Sequence, residues 1–463
     1  MAYIPYLVLG PTGLMGLIGL LYGPDKTIPT PNQDWKKATV DLLIPSYNEE
    51  ATILLCLDSI TRQTLQPRQI LLYDDASTDR TCQFARDYAQ LHQINLKIIK
   101  RTHNEGKTPS VYYAAHESDA DVLAIVDGDS ILKSDDYLAR LTEELYQGVG
   151  IACACGMVLP LTEQDRNNER MREPIAEFAR RHPETPFSPD KTKFQLFQRA
   201  ITNAYREELY LFLQRFIYHG EMVFFGTIIF PIGCAVVYRR EYLKDILDHY
   251  TKIFGFDLTT SEDIFFGFAF ADKGYRNIVV QNTYALTMEP RYFGVYKQIN
   301  KWHSSFLQSC YYFDSLFFTP FKFPRLLIKK IKDARNPELK KMVEKRKIQE
   351  AYRQAFGVEY TIKYGRNIGW FVFTTTFEKL SFPTVIIILI ILQYWLTLLA
   401  TIGSEVALYA IIIATMHKNR RFRNFFKAIL FTPIRYSQIM FDIVVLGKFM
   451  SDLWITKNRR WRK

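Results

Sequence analysis

Between residues 40 and 160, short apolar runs alternate with helix-patterned segments, and the runs end in acids or turn residues. "VDLLIPSYN" leads into a helix pattern from Glu49 to about Arg62. "QILLYDDASTD" repeats the arrangement, "LKIIKRT" and "DVLAIVDGD" are a third and fourth strand, and "IACACGMVLP" is a fifth. Strands and helices alternating at this spacing predict an α/β fold: a parallel sheet with helices on both faces. Ligands of such sheets bind beyond the carboxyl ends of the strands. Tyr47, Asn48, Asp74, Asp75, Asp127 and Asp129 all fall there, so several strand exits point to one site.

The rest of the 463-residue chain needs further units. Residues 1–24 carry no charge, and their length suits a transmembrane helix better than a cleaved signal, since a basic start is missing. Gly10, Gly13, Gly16 and Gly19 make a strip on which another helix can pack; a plain anchor is the simpler reading. Residues 163–195 are polar and proline-bearing and read as an exposed insertion that starts with a helix. "FPTVIIILIILQYWLTLLATIG", residues 382–403, is the clearest span, and "EVALYAIIIATM" returns from it. The basic run "HKNRRFRNFFK" argues for the cytosolic side. Residues 428–449 carry Pro433, Arg435 and Asp442 and read as interfacial. Twelve Lys/Arg against four Asp/Glu in residues 322–353, and a net charge of +11, suit a surface held against anionic lipid rather than nucleic acid. The six cysteines show no metal spacing and read as reduced thiols of a cytosolic domain.

The pair in "VDGDS" raises a chemical question, because adjacent carboxylates repel. In an extended segment Asp127 and Asp129 face the same way. Gly128 between them lets a bulky group approach the backbone. Mg²⁺ or Mn²⁺ bridging to a diphosphate would relieve the repulsion. A solvated turn with capping acids is the plain alternative. "NEGKTP" is not a P-loop, because Arg101 stands where the first glycine belongs. A phosphatase D-x-D of the haloacid-dehalogenase type fits less well, since Ile131 occupies the place of its Thr or Val.

"LIPSYNEE", "LYDDASTD", "HNEGKTPSVYYAA", "IVDGDS", "GCAVVYRREYL", "SEDIFFGF" and "QINKW" occur in the order found in family 2 glycosyltransferases. The chain most resembles their membrane-embedded branch, which includes cellulose, chitin and hyaluronan synthases, over roughly residues 38–310. The resemblance implies a GT-A fold, a Rossmann-like mixed sheet with flanking helices, together with a nucleotide-sugar donor, usually a uridine diphosphate sugar, a divalent cation and inversion at the anomeric carbon. It puts Pro45, Tyr47, Glu49, Asp75, Lys107, Asp127 and Lys301 on the donor side, Tyr47 against the uracil. Asp127 and Asp129 become the metal and diphosphate acids. Asp263, beside Glu262, becomes the general base. Gly233, Cys234, Gln298 and Trp302 fall on the acceptor side. Two departures bear on these roles. Lys301 replaces the arginine of Q-x-x-R-W and lacks its planar fork, and Cys234 stands where Ser or Thr is usual.

The chemistry fits these residue types. Cleaving a sugar–phosphate bond builds negative charge that cations stabilise, and a carboxylate must take the acceptor's proton. Asp263 opens a helix pattern, whose dipole is expected to lower its pKa. A helix cap beside Ser261 is the plain alternative for Asp263, an ordinary helix-start lysine for Lys107, and an interfacial tryptophan for Trp302. The expected layout is a transmembrane helix at 1–24, a GT-A domain at 38–290 with an insertion and helices at 163–225, interfacial helices and a basic segment at 291–380, a transmembrane hairpin at 381–416 and a basic tail at 417–463. The expected activity is a membrane-bound inverting transferase extending a polysaccharide through β-bonds. Few spans for an export channel leave two readings open: transfer of one sugar to a lipid carrier, or a channel completed by a second copy or an export partner. An inactive scaffold or a phosphatase is the alternative from another class.

Overall fold

The computed structural model describes residues 10–22, 34–147, 150–256, 258–335, 357–416 and 420–457. An eight-stranded mixed sheet organises the part of the chain from Val40 to Thr287. Its strands are β1 (Val40–Ser46), β2 (Ile70–Asp74), β3 (Leu96–Lys100), β4 (Val122–Val126), β5 (Ser130–Leu132), β6 (Ile151–Pro160), β7 (Ala235–Arg239) and β8 (Arg276–Thr287). They lie in the order β3-β2-β1-β4-β7-β6-β8-β5. The first four run parallel, as the alternation predicts. Beyond β4 the parallel repeat gives way to the mixed sheet expected of a GT-A fold: β7 is antiparallel to both β4 and β6, and β5 is antiparallel to β8. The sheet is therefore mixed. The reversal lies outside the regular repeat, because α-helical segments from residues 163 to 225 separate β6 from β7 in sequence. β4 is buried along its whole length, which explains its unbroken apolar run.

Around the sheet stand α1 (Pro11–Tyr22), α2 (Ile53–Thr61), α3 (Thr81–Leu91), α4 (Lys107–Glu117), α5 (Tyr137–Tyr146), α6 (Glu163–Arg170), α7 (Glu173–Arg181), α8 (Lys193–Phe212), α9 (Tyr218–Phe225), α10 (Arg240–Phe254), α11 (Glu262–Lys273) and α12 (Gly294–Tyr312). The polar insertion is less exposed than its composition suggests. Ile175 and Phe178 of α7 are fully buried, and Phe178 packs edge-on against Phe84 and Tyr88. The glycine strip of α1 packs closely on α9, where the backbones touch at Gly19 and Gly220.

The C-terminal part is helical: α13 (Asp314–Phe317), α14 (Thr319–Ala334), α15 (Gly357–Tyr364), α16 (Ile368–Ile391), α17 (Trp395–Met416), α18 (Arg421–Leu430) and α19 (Thr432–Trp454). Among the described residues, α16 and α17 are long and apolar enough to cross a membrane; α18 and α19, bent by 50°, make a third if taken as one span. The span expected at 382–403 is corrected: the chain turns at Leu392–Tyr394, with Gln393 in the left-handed region, and the two helices flank that turn. The unbroken apolar run hid the turn because both helix ends around it are exposed and apolar. Arg435 and Asp442 of α19 are matched by neighbouring helices: Arg435 donates to Glu405 of α17, and His303 of α12 meets Asp442. Much of the basic 322–353 segment, the first nine residues and the end of the tail lie outside the described residues.

Candidate active site

Antiparallel pairing of β4 with β7 puts Val126 opposite Ala235, so the exit of β4 meets the entry of β7. The Asp127 N–H donates to the Cys234 carbonyl at 2.9 Å. Ser130 N–H then donates back to the Asp127 carbonyl at 2.9 Å. The two acids thus sit in a tight turn, which corrects the expected extended segment: the strand ends at Val126, before the pair. Gly128 is corrected too. A Cβ there would stand 2.7 Å from Ser46 Oγ and 3.2 Å from Glu49 Cγ, so the chain's own β1–α2 turn fills the space expected for a ligand.

Three acids crowd this corner. Burial and then the Asp127 charge push the Asp129 carboxyl up to about 7, against the hydrogen bond from Ser130. Burial, followed by the charge of Asp129, pushes Glu49 up to about 9. Such an excess of acid fits a divalent cation, which favours ionised carboxylate oxygens. Asp127 and Asp129 are the pair that would hold one. Among the described residues no three side chains form a ready-made cage, so a ligand such as a diphosphate, with water, would complete the coordination.

Lys107, the first residue of α4, is the counterweight. Its ammonium lies 2.7 Å from Asp127 Oδ1 and 3.2 Å from Glu262 Oε1, and donates to the Gly233 carbonyl at 3.0 Å. Burial works against its charge, but Asp127 and then Glu262 outweigh burial and raise its pKa. The positioned lysine links the acids at the β4 exit to the acid pair opening α11.

Asp263 sits at the start of α11, and its Oδ1 accepts from Ser261 Oγ at 2.5 Å and from the Ile264 N–H at 2.8 Å. The expectation of a lowered pKa is corrected. Burial and the Glu262 charge lift the carboxyl to about 6, and these outweigh the hydrogen bonds and Lys107. Gly233 is required by close approach: a Cβ on it would stand 2.7 Å from both Cβ and Oδ2 of Asp263. The Cys234 thiol is pushed well up by burial and then by Asp127, so it stays neutral.

Other expected residues take up more peripheral places. Tyr47 follows the end of β1 and is 48% exposed, open enough for a ring to stack on. Pro45 is within β1, and its carbonyl accepts from Gly128 N–H at 3.4 Å. Asp75 spends both oxygens inside the protein, on Arg101 and on the N–H groups of Glu105 and Gly106, and so pins the loop that delivers Lys107. The Lys301 carbonyl accepts from Thr260 Oγ1 at 2.8 Å, tying α12 to the loop before Asp263.

Arg206 and Glu289 carry no sequence motif. Arg206, fully buried on α8, donates to Gln298 Oε1 at 2.9 Å and stacks its guanidinium 5.0 Å from the Trp302 ring centre. Its Nε is 3.6 Å from Glu289 Oε2, and Glu289 also takes the Tyr210 hydroxyl at 2.5 Å. The Glu289 charge adds to the field that raises Asp129. Its one sequence signal is an acid two residues beyond the end of β8, the same place that singled out the other strand-exit acids.

A family model described as "Glycosyl transferase family 2" matches residues 41–247. The O-antigen chain rhamnosyltransferase RfbN of Salmonella typhimurium is 28% identical over 223 residues, which are 46% of this chain and 67% of that protein. An N-acetylglucosaminyltransferase of Rhizobium sp. is 26% identical over 272 residues, 58% of this chain and 52% of that protein. The chain thus spans about half to two thirds of the length of these two relatives. Among solved structures, the mannosyltransferase PcManGT from Pyrobaculum calidifontis, in complex with GDP-Man and Mn²⁺, aligns over 96% of this chain and 99% of its own, with 15% identity and a TM-score of 0.47.

Proposed function

We propose that the chain uses residues 41–247, which match the glycosyl transferase family 2 model, to move a sugar, with inversion, from a nucleotide donor of the uridine diphosphate type to a growing polysaccharide through β-bonds. The observation that carries this reading is the Lys107 bridge, which sets the acids at the β4 exit beside the acid pair of α11. On this reading Tyr47 faces the base, Asp75 supports the nucleoside side, and Lys107 stands beside the diphosphate. Asp127 and Asp129 hold Mg²⁺ or Mn²⁺, which when bound neutralises charge on the departing diphosphate.

Asp263 takes the proton of the attacking acceptor hydroxyl. A carboxyl lifted to about 6 is a better base than an exposed one and is still ionised at neutral pH. Attack from the face opposite the leaving diphosphate, at a carbon with oxocarbenium character, inverts the configuration. Trp302, held flat by Arg206, offers its face to an acceptor sugar beside Gln298, Gly233 and Cys234. The exposed apolar faces of α16 and α17 support an integral membrane location with the catalytic domain on the cytosolic side.

A second reading, transfer of one sugar to a lipid carrier, is favoured by the two or three candidate spans, few for an export tunnel in a single chain. Incubating the purified protein with a panel of labelled nucleotide sugars, with and without Mn²⁺, tests both. A metal-dependent ladder or long polymer supports polymer synthesis. A single-sugar lipid product supports the second reading, and no transfer from any donor contradicts both.

A further inference from the structure

A cavity of about 360 Å³ lies outside the machinery described above, between α6, α8 and the ends of β6 and β8. Lys133 and Leu286 line it at the far end of β5 from Asp129, so the short strand separates the two places by roughly 10 Å. Its wall contains Arg166, only 2% exposed. The one hydrogen bond of this guanidinium is to the Met288 sulfur at 3.9 Å, and it forms no ion pair among the described residues. A buried charge without a counter-ion is strongly destabilising. Burial and the nearby Arg199 charge already push its pKa down.

The neighbouring acids offset this only in part: Asp190 and Glu163 favour its charge, but neither forms an ion pair with it among the described residues. Arg199 is held by Asp190 at 2.5 and 3.1 Å. Asp165 is engaged with Thr162 in the cap of α6, and Glu207 with Lys427 at 2.8 Å. Glu163 remains at the exposed rim and, like Lys133 on the other side, forms no ion pair among the described residues. Asn203 adds a buried Oδ1 that has no hydrogen-bond partner, an acceptor in need of a hydroxyl.

We propose that this cavity binds a phosphate group with a neighbouring hydroxyl, the phosphate between Arg166 and Lys133 and the hydroxyl on Asn203. Two sources share that chemistry: a free polyol phosphate, and the headgroup of a glycerol phospholipid. The second is within reach because Glu207 at the rim meets Lys427 of the basic helix α18. Asn203 and Arg206 are three residues apart on one helix, so occupancy bears on the side chain that holds Gln298 and Trp302. The proposal stands whether or not the chain transfers a sugar.

Equilibrium binding of labelled glycerol 3-phosphate to the full chain in detergent tests the free source. Flotation with phosphatidylcholine vesicles, with and without phosphatidylglycerol, tests the lipid source. Saturable binding in at least one arm is expected, weakened about tenfold or more by Arg166→Gln and severalfold by Lys133→Ala. Asp127→Asn should leave it intact. Lys133 is exposed, so its variant stays informative if Arg166→Gln fails to fold. Binding that ignores both substitutions, binding abolished by Asp127→Asn, or no binding in either arm overturns the proposal.

Discussion

The ammonium of Lys107 stands 2.7 Å from Asp127 Oδ1, and from there it also reaches Glu262 at 3.2 Å. One cation therefore holds together two acid groups that lie 135 residues apart in sequence. Replacing Lys107 with Met removes the link between the two acids. The transfer rate at saturating donor should fall by about 10² to 10³, as when a preorganised cation is lost from a charge-developing site. Lys107→Arg should retain part of it. Initial-rate measurements with labelled donor decide, and a Met variant within fivefold of wild type contradicts the bridging role.

Gly233 and Asp263 are in backbone-to-side-chain contact, and a methyl on Gly233 would press on the Asp263 carboxylate at 2.7 Å. Gly233→Ala should displace Asp263 and lower kcat by roughly tenfold or more, since small misplacements of a reacting group are costly. Nucleotide binding, measured by calorimetry, should change little. Equal losses in both would place the effect elsewhere.

The acid cluster makes stability depend on pH and metal. Asp129 is raised to about 7 and Asp263 to about 6, both above their ordinary value of 3.8. For an acid whose folded pKa is raised, stability is fully present below the unfolded pKa and is lost as pH rises through the folded one. The metal-free protein should therefore lose stability between about pH 4 and pH 7 on account of these groups. Mn²⁺ should restore most at the alkaline end. At pH 8 in chelator, Asp129→Asn should melt higher than wild type and gain little from Mn²⁺. A lower melting temperature for this variant contradicts the crowding argument.

Arg206 and Glu289 are each about 1% exposed, so removing one leaves the other's charge buried. Arg206→Met should destabilise by about 3 to 5 kcal/mol. Adding Glu289→Gln should recover part of that loss while acceptor KM stays raised, because Trp302 has lost its stacked guanidinium. Thermal unfolding and acceptor titration separate the two effects, and a double variant less stable than Arg206→Met contradicts the pairing.

The parallel half of the sheet was legible because β1, β2 and β4 are buried apolar runs ending in acids or turn residues, and burial on both faces erases alternation. Lys107, Asp127 and Asp263 stood out because polar residues at strand exits and helix starts interrupt such runs. What escaped notice depends on long-range packing. The turn at Gln393 hides inside continuous apolarity, and the tight turn after Val126 differs by one residue from an extended strand. Arg206 is one charge on an amphipathic helix, and only its tertiary neighbours distinguish it from a solvated residue. The raised pKa of Asp263 does not follow from the helix dipole, because burial and the Glu262 charge, both set by tertiary packing, outweigh it.

The account turns on Asp263 as the base, and the pH profile of sugar transfer by wild type and by folded Asp263→Asn tests it most directly. The wild-type kcat should fall as pH drops through about 6, and the variant should lose a factor of about 10² to 10⁴ at neutral pH with donor binding intact. Near-normal transfer by the variant, with the same acid limb, would contradict the account.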